Sequence, residues 1–162
     1  INGLSTSIGY YFQRFEFNAS LYYIIRGLGY LIAGFNIIQY SGPLLAAVAT
    51  VAILKISLRK LPETFPGAID VDIFGHMLWC LLAYFLCTTI LHPWYILTLL
   101  ALSLLTPYRF TVVWTAMIFL TYAGYTKVSF HENLFAVALE YIVVMACLLY
   151  EMVWIKSQRL AS

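Results

Sequence analysis

Charge is what this chain has least of. Nine basic and seven acidic residues are spread over 162 positions, 10% of the total, against roughly a quarter in an ordinary soluble domain. A soluble globule of this size needs a far more polar surface, so a soluble enzyme and a solvated, disordered tail are both excluded. The three cysteines are too few for a disulfide scaffold. Cys80, Cys87 and Cys147 each lie in an apolar run, and Cys80 and Cys87 stand too far apart along one expected helix to bond each other. They read as small buried thiols. A net charge of +2 without a long Lys/Arg run excludes a nucleic-acid partner. His76, His92 and His131 are scattered, and there is no CxxC, HExxH, glycine-rich phosphate loop or GxSxG elbow. No cofactor is evident from these spacings, and a divalent ion stays open. The chain starts at Ile1 without an initiator Met, a basic n-region or a cleavage site, so it is expected to begin inside a longer polypeptide.

What is present is apolar bulk. Residues of the AVILMFWYC class make up 63%, aromatics 17%, and the mean hydropathy is +0.88. The composition predicts an all-α, polytopic membrane helical bundle. Apolar runs place spans at Pro43–Leu58, Ile73–Leu91, Trp94–Leu105, Phe110–Tyr125 and Leu134–Ile155. The first is short for a bilayer and should borrow residues from a flank, with Pro43 in its first turn. The third, held between His92-Pro93 and Thr106-Pro107, should be short or tilted and packed inside protein. Alternation puts Lys55, Arg59, Lys60, Arg109, Lys156 and Arg159 on one side and Arg14, Arg26 and Lys127 on the other. The positive-inside rule then makes 59–72, 106–109 and the C-terminus cytoplasmic. Residues 1–42 mix tyrosines with Arg14, Glu16, Asn18, Arg26, Asn36 and Gln39, and read as an outer-face interfacial or re-entrant helical segment. Residues 43–162 form the bundle of about five spans.

The candidate functional residues gather at the outer face. Arg14 and Arg26 suit phosphate at headgroup depth, because a guanidinium offers two parallel donors; a snorkelling anchor is the alternative. Glu16 reads as a neutraliser of Arg14. His92 ends the second span, either as an interfacial cap or as a donor or base at an outward site. Glu132, Asn133 and Glu140 open the last span, with Glu140 about 10 Å along the helix from Asn133. An ionisable group at that depth is a functional candidate, with a structural partner such as Arg26 equally open. Asn18-Ala19-Ser20 matches a glycosylation acceptor only formally. Asp70 and Asp72 read as helix N-terminal carboxylates on the inner face.

The run Thr88-Thr89-Ile90-Leu91-His92-Pro93-Trp94-Tyr95 resembles the His-Pro-Trp-Tyr turn of bacterial polytopic glycosyltransferases of the GT-C type, the mannosyltransferase-like group that uses polyprenyl-phosphate sugars. Phe15-Glu16-Phe17-Asn18-Ala19-Ser20-Leu21-Tyr22-Tyr23 with Arg26 is similar to an outer-face segment of that group, particularly in Bacteroidota-like sequences. Trp114, Tyr122 to Tyr125 and Glu132 through Glu140-Tyr141 are similar to its C-terminal helices. The resemblance implies the C-terminal part of an enzyme moving a hexose, mannose by the closest pattern, from a polyprenyl-phosphate donor to a glycan or lipid acceptor. It further implies the bacterial inner membrane with a periplasmic active face. Arg14, Arg26 and His92 would serve the phosphate, Trp94 and Tyr95 the sugar or headgroup, and Glu16, Glu132 and Glu140 complete the substrate-binding set. The group's essential carboxylate, usually an Asp in the first outward loop, has no counterpart in this chain, since Asp70 and Asp72 fall on the expected inner face. The chain alone is therefore expected to be inactive. Two other readings stay open at this point, a transporter or flippase half-domain and a non-catalytic membrane assembly subunit.

Overall fold

The computed structural model describes residues 16–59, 71–124 and 132–161. Among the described residues six α-helices carry the fold: α1 Leu21–Ala33, α2 Ile38–Ser57, α3 Val71–Cys87, α4 Ile96–Ser103, α5 Phe110–Met117 and α6 Leu134–Ala161. A 3-10 turn at Pro93–Tyr95 leads into α4, and another at Ile118–Gly124 continues α5. No strand occurs among the described residues. A single parallel bridge joins Phe17 to Ile90, through Phe17 N–H donating to Thr89 O at 3.0 Å and Leu91 N–H to Phe17 O at 2.8 Å.

Helical spacing builds the main core. Leu78, Leu82 and Phe85 of α3 meet Ile96 and Leu99 of α4, Phe110, Trp114 and Ile118 from α5 onward, and Val144 and Leu148 of α6. Each set repeats at three or four residues, so each helix turns one stripe inward. A second cluster joins Ala19, Tyr22, Ile38, Leu45, Ala49 and Cys87, and ties α1 and the preceding strap, residues 16–20, to α2 and α3. Gly29 makes this corner possible: a Cβ there would stand 2.6 Å from the Ile37 side chain. Gly34, at φ 77°, ends α1 in the left-handed conformation that glycine adopts without penalty, its N–H returning to Tyr30 O.

Two helices, Ile38–Ser57 and Leu134–Gln158 within α6, are long and apolar enough to cross a membrane. Most of each is exposed, and large apolar side chains such as Ile32 (85%) and Phe135 (78%) face outward. Outward apolar faces of this extent mark surfaces that meet a membrane or another protein. The remaining helices are apolar but shorter.

The helix bounds differ from the hydrophobic runs in three places. α2 starts at Ile38, so the short run does borrow from its N-terminal flank, and Pro43 sits inside the helix instead of in its first turn. The last stretch of the second run, Thr88 to Leu91, leaves the helix to pair with the strap. The third run gives only eight α-helical residues. Its C-terminal carbonyls are held by Arg109, whose guanidinium donates to Ser103 O at 2.7 Å and Thr106 O at 2.6 Å.

Candidate functional site

The strap is where distant parts of the chain meet. Asn18 is fully buried and has φ 48°, a left-handed conformation that Asn tolerates better than most side chains. The turn lets its backbone and side chain serve different partners. Its backbone N–H donates to Glu132 Oε1 at 2.5 Å, and its Nδ2 donates to Glu140 Oε1 at 3.1 Å. Its carbonyl accepts from the Tyr141 hydroxyl at 2.8 Å. Trp114 Nε1–H also donates to Glu140 Oε1, at 2.8 Å. Ser20, instead of capping α1, donates its hydroxyl to Leu86 O at 2.8 Å and fastens the strap to α3.

Beside this lies a second carboxylate. Glu16 accepts from the Tyr22 hydroxyl and from Asn36 Nδ2, both at 2.5 Å, and pairs with Arg26. The Arg26 guanidinium lies over the Tyr23 ring, 4.4 Å from its centroid, and the Tyr23 hydroxyl donates to Glu132. One arginine is thus held by a ring face and by a carboxylate. Burial pushes the Glu132 carboxyl above the ordinary carboxylate range; the Asn18 N–H opposes the shift and the Glu16 charge adds to it. Asn133 caps α6, its Oδ1 accepting from Phe135 N and Ala136 N at 3.2 Å.

An apolar crevice of about 640 Å³ runs between α1 and the first turns of α6. Its walls include Ile24, Leu86, Val137, Ile142 and Met145, with Tyr23 and Arg26 also in the lining. Arg26 is the only charged residue that lines it among the described residues.

The Pro93–Tyr95 turn forms a separate aromatic stack. His92 lies 4.4 Å from Trp94 at an interplanar angle of 12°, 4.9 Å from Phe17 and 5.6 Å from Tyr95, by ring centroids. Partial burial lowers the His92 imidazole below its ordinary value, favouring the neutral ring. His92 touches the strap through Phe17, and none of His92, Trp94 and Tyr95 lines the crevice.

Of the expected site residues, Glu16, Arg26, Glu132 and Glu140 come together around the strap and α1. Arg14, the expected partner of Glu16, lies outside the described residues; Glu16 pairs with Arg26. The partner suggested for Glu140 was Arg26; its partners are Asn18 and Trp114. Asp70 is outside the described residues, as are Lys127 and His131. Sequence reasoning passed over Asn18 as a chance glycosylation tripeptide, and missed the roles of Tyr22, Tyr23 and Asn36. Full burial of Asn18 removes it as a glycan acceptor. The available signal was the density of amide and hydroxyl side chains among the apolar residues of 16–36.

No family model, curated protein or solved structure matches this chain.

Proposed function

We propose that this chain is the C-terminal part of a polytopic, integral-membrane glycosyltransferase. It moves a hexose, mannose by the sequence resemblance, from a polyprenyl-phosphate donor to a glycan or lipid acceptor on the periplasmic face of a bacterial inner membrane. The observation that supports the reading is the crevice between α1 and α6, with Arg26 in its lining stacked on Tyr23. An isoprenoid chain matches the apolar walls by burial of hydrocarbon, and a phosphate matches a guanidinium fixed at the edge of that hydrocarbon. A leaving phosphate gains charge in the transition state, and a preorganised donor in a water-poor site stabilises that charge. The essential carboxylate of such a transferase would come from another part of a longer polypeptide, and the acceptor from solution or the bilayer.

Binding of a polyprenyl phosphate and of the matching polyprenol to the chain in nanodiscs tests this. The phosphate should bind more tightly than the alcohol, and Arg26→Ala should abolish the difference. Arg26→Lys should restore only part of it, since an ammonium lacks the two-pronged geometry. In a full-length parent enzyme, Arg26→Ala should lower transfer on the order of a hundredfold, ~3 kcal/mol. His92→Ala should also lower transfer, through its contact with the strap, while Asp72→Ala should leave it near parental. Equal binding of phosphate and alcohol by the parental chain would sink the assignment.

A further inference from the structure

The knot around Asn18 has an imbalance that its own hydrogen bonds do not resolve. Three carboxylates, Glu16, Glu132 and Glu140, are joined through the strap and α1, with Arg26 as the cation paired among them in the described residues. Arg26 is committed to Glu16. Glu132 lies near enough to both Glu16 and Glu140 for their charges to act on one another. The donors that reach Glu140, Asn18 Nδ2 and Trp114 Nε1, both go to Oε1. Its other oxygen, Oε2, is buried and has no hydrogen-bond partner among the described residues, and neither has Oδ1 of Asn18. Both side chains are fully buried. Two lone-pair-bearing oxygens are therefore left on side chains already bonded to each other, beside the Glu132 carboxylate that the same Asn18 holds.

An unpaired buried acceptor is unfavourable, and an uncompensated buried charge more so. A water could donate to both oxygens but would leave the charge standing. A positive charge satisfies both requirements at once. As a proton on Oε2 it would be donated to Oδ1, completing a two-bond acid–amide pair with the existing Nδ2 to Oε1 bond. As an alkali-metal ion it would be ligated by both oxygens, hard donors suited to such an ion.

We propose that Glu140 Oε2 and Asn18 Oδ1 together bind one positive charge, a proton or an alkali-metal ion, as part of the folded structure. The site is independent of the transferase reading, because its ligands line neither the crevice nor the aromatic stack. Bound charge would hold the strap against α5 and α6, since the same two side chains make that junction.

Two measurements on the full chain in nanodiscs separate the sources. Melting temperature is recorded in sodium, potassium and choline chloride at equal ionic strength. The infrared spectrum at neutral pH is recorded for a protonated carboxyl C=O band, with isotope-labelled glutamate to assign it. A rise in melting temperature with sodium or potassium but not choline, absent from Glu140→Gln, identifies an alkali ion, as a ligand of the folded state must stabilise it. A protonated carboxyl band without ion dependence, lost in Glu140→Gln, identifies the proton. Neither ion dependence nor an acid band in the parental chain overturns the proposal, leaving a hydrated carboxylate. Either signal persisting unchanged in Glu140→Gln overturns it as well, since the charge then binds elsewhere. Should Glu140→Gln fail to fold, Asn18→Asp, with a second carboxyl at the same place, must strengthen the ion dependence or alter the acid band. A spectrum and melting profile identical to the parental ones would overturn the proposal.

Discussion

The two clusters that flank Phe17 occupy the same end of the fold and rest on opposite physics. On one side, His92, Trp94 and Tyr95 hold each other by ring contacts, with Trp94 half exposed. On the other, Asn18, Glu132, Glu140, Trp114 and Tyr141 are joined by directed hydrogen bonds, the two to Glu140 fully buried. Ring stacking tolerates small displacements and is worth about 0.5–1.5 kcal/mol per pair beyond area burial. A buried polar network tolerates almost none, since each lost partner strands another group away from water. The knot should therefore fix the geometry of this end, and the stack should only cushion it.

The sharpest way to break this contrast is Glu140→Ala. It leaves the Trp114 N–H and the Asn18 amide without their acceptor in a dry interior, and opens a cavity beside them. A loss of about 3 kcal/mol is expected from two stranded donors, read by denaturant or thermal unfolding in detergent. A loss below roughly 1 kcal/mol, the range of an exposed residue, would show that the knot is not what holds the strap.

Acid and base should separate the two clusters by sign. Burial raises Glu132 above its ordinary value of 4.5, so the folded state holds that proton more tightly than the unfolded chain. Its contribution is full below that value and is lost as pH rises through the window above it. Burial lowers His92 below its ordinary value of 6.5, so the unfolded chain is the better proton acceptor. That contribution is full above 6.5 and is lost as pH falls below it. Melting temperature followed from about pH 4 to 8 should lose the first trend in Glu132→Gln and the second in His92→Phe. Identical profiles in both variants and the parent would remove the electrostatic half of the comparison.

The smallest effect should come from His92→Phe read as stability alone. An aromatic ring of similar breadth keeps the contacts to Trp94 and Phe17, and the change should stay under about 1 kcal/mol. A larger loss would mean that an imidazole nitrogen holds the turn through a polar contact as directional as those of the knot.

Much of the scaffold was legible from local pattern. Apolar runs marked α3, α5 and α6, and Asn133, which opens the last run, caps that helix with its side chain. Phe17 pairs with Ile90 and Asn18 with Glu132, while Arg109 N–H meets Glu151 about eleven residues, or roughly 16 Å, further along α6 than Glu140. Less legible were the helix bounds. Pro43 looked like a start because proline suits a first turn, yet the helix runs through it from Ile38. Thr88 to Leu91 read as helix from hydropathy alone, but hydropathy does not register that a strap elsewhere will pair with that backbone.

By itself the sequence determined that this chain is apolar and helical, and that polar side chains interrupt its apolar residues within 16–36, at 92 and within 132–140. Those properties follow from composition and from periodicities of three or four residues, both local. Only the tertiary structure decided which polar group meets which. Asn18 and Glu140 are 122 positions apart, and no spacing rule links them. A buried hydrogen bond is settled by distance and direction in three dimensions, so Glu16 takes Arg26, Glu140 takes Asn18 and Trp114, and two oxygens remain for a charge that no pattern in the chain announces.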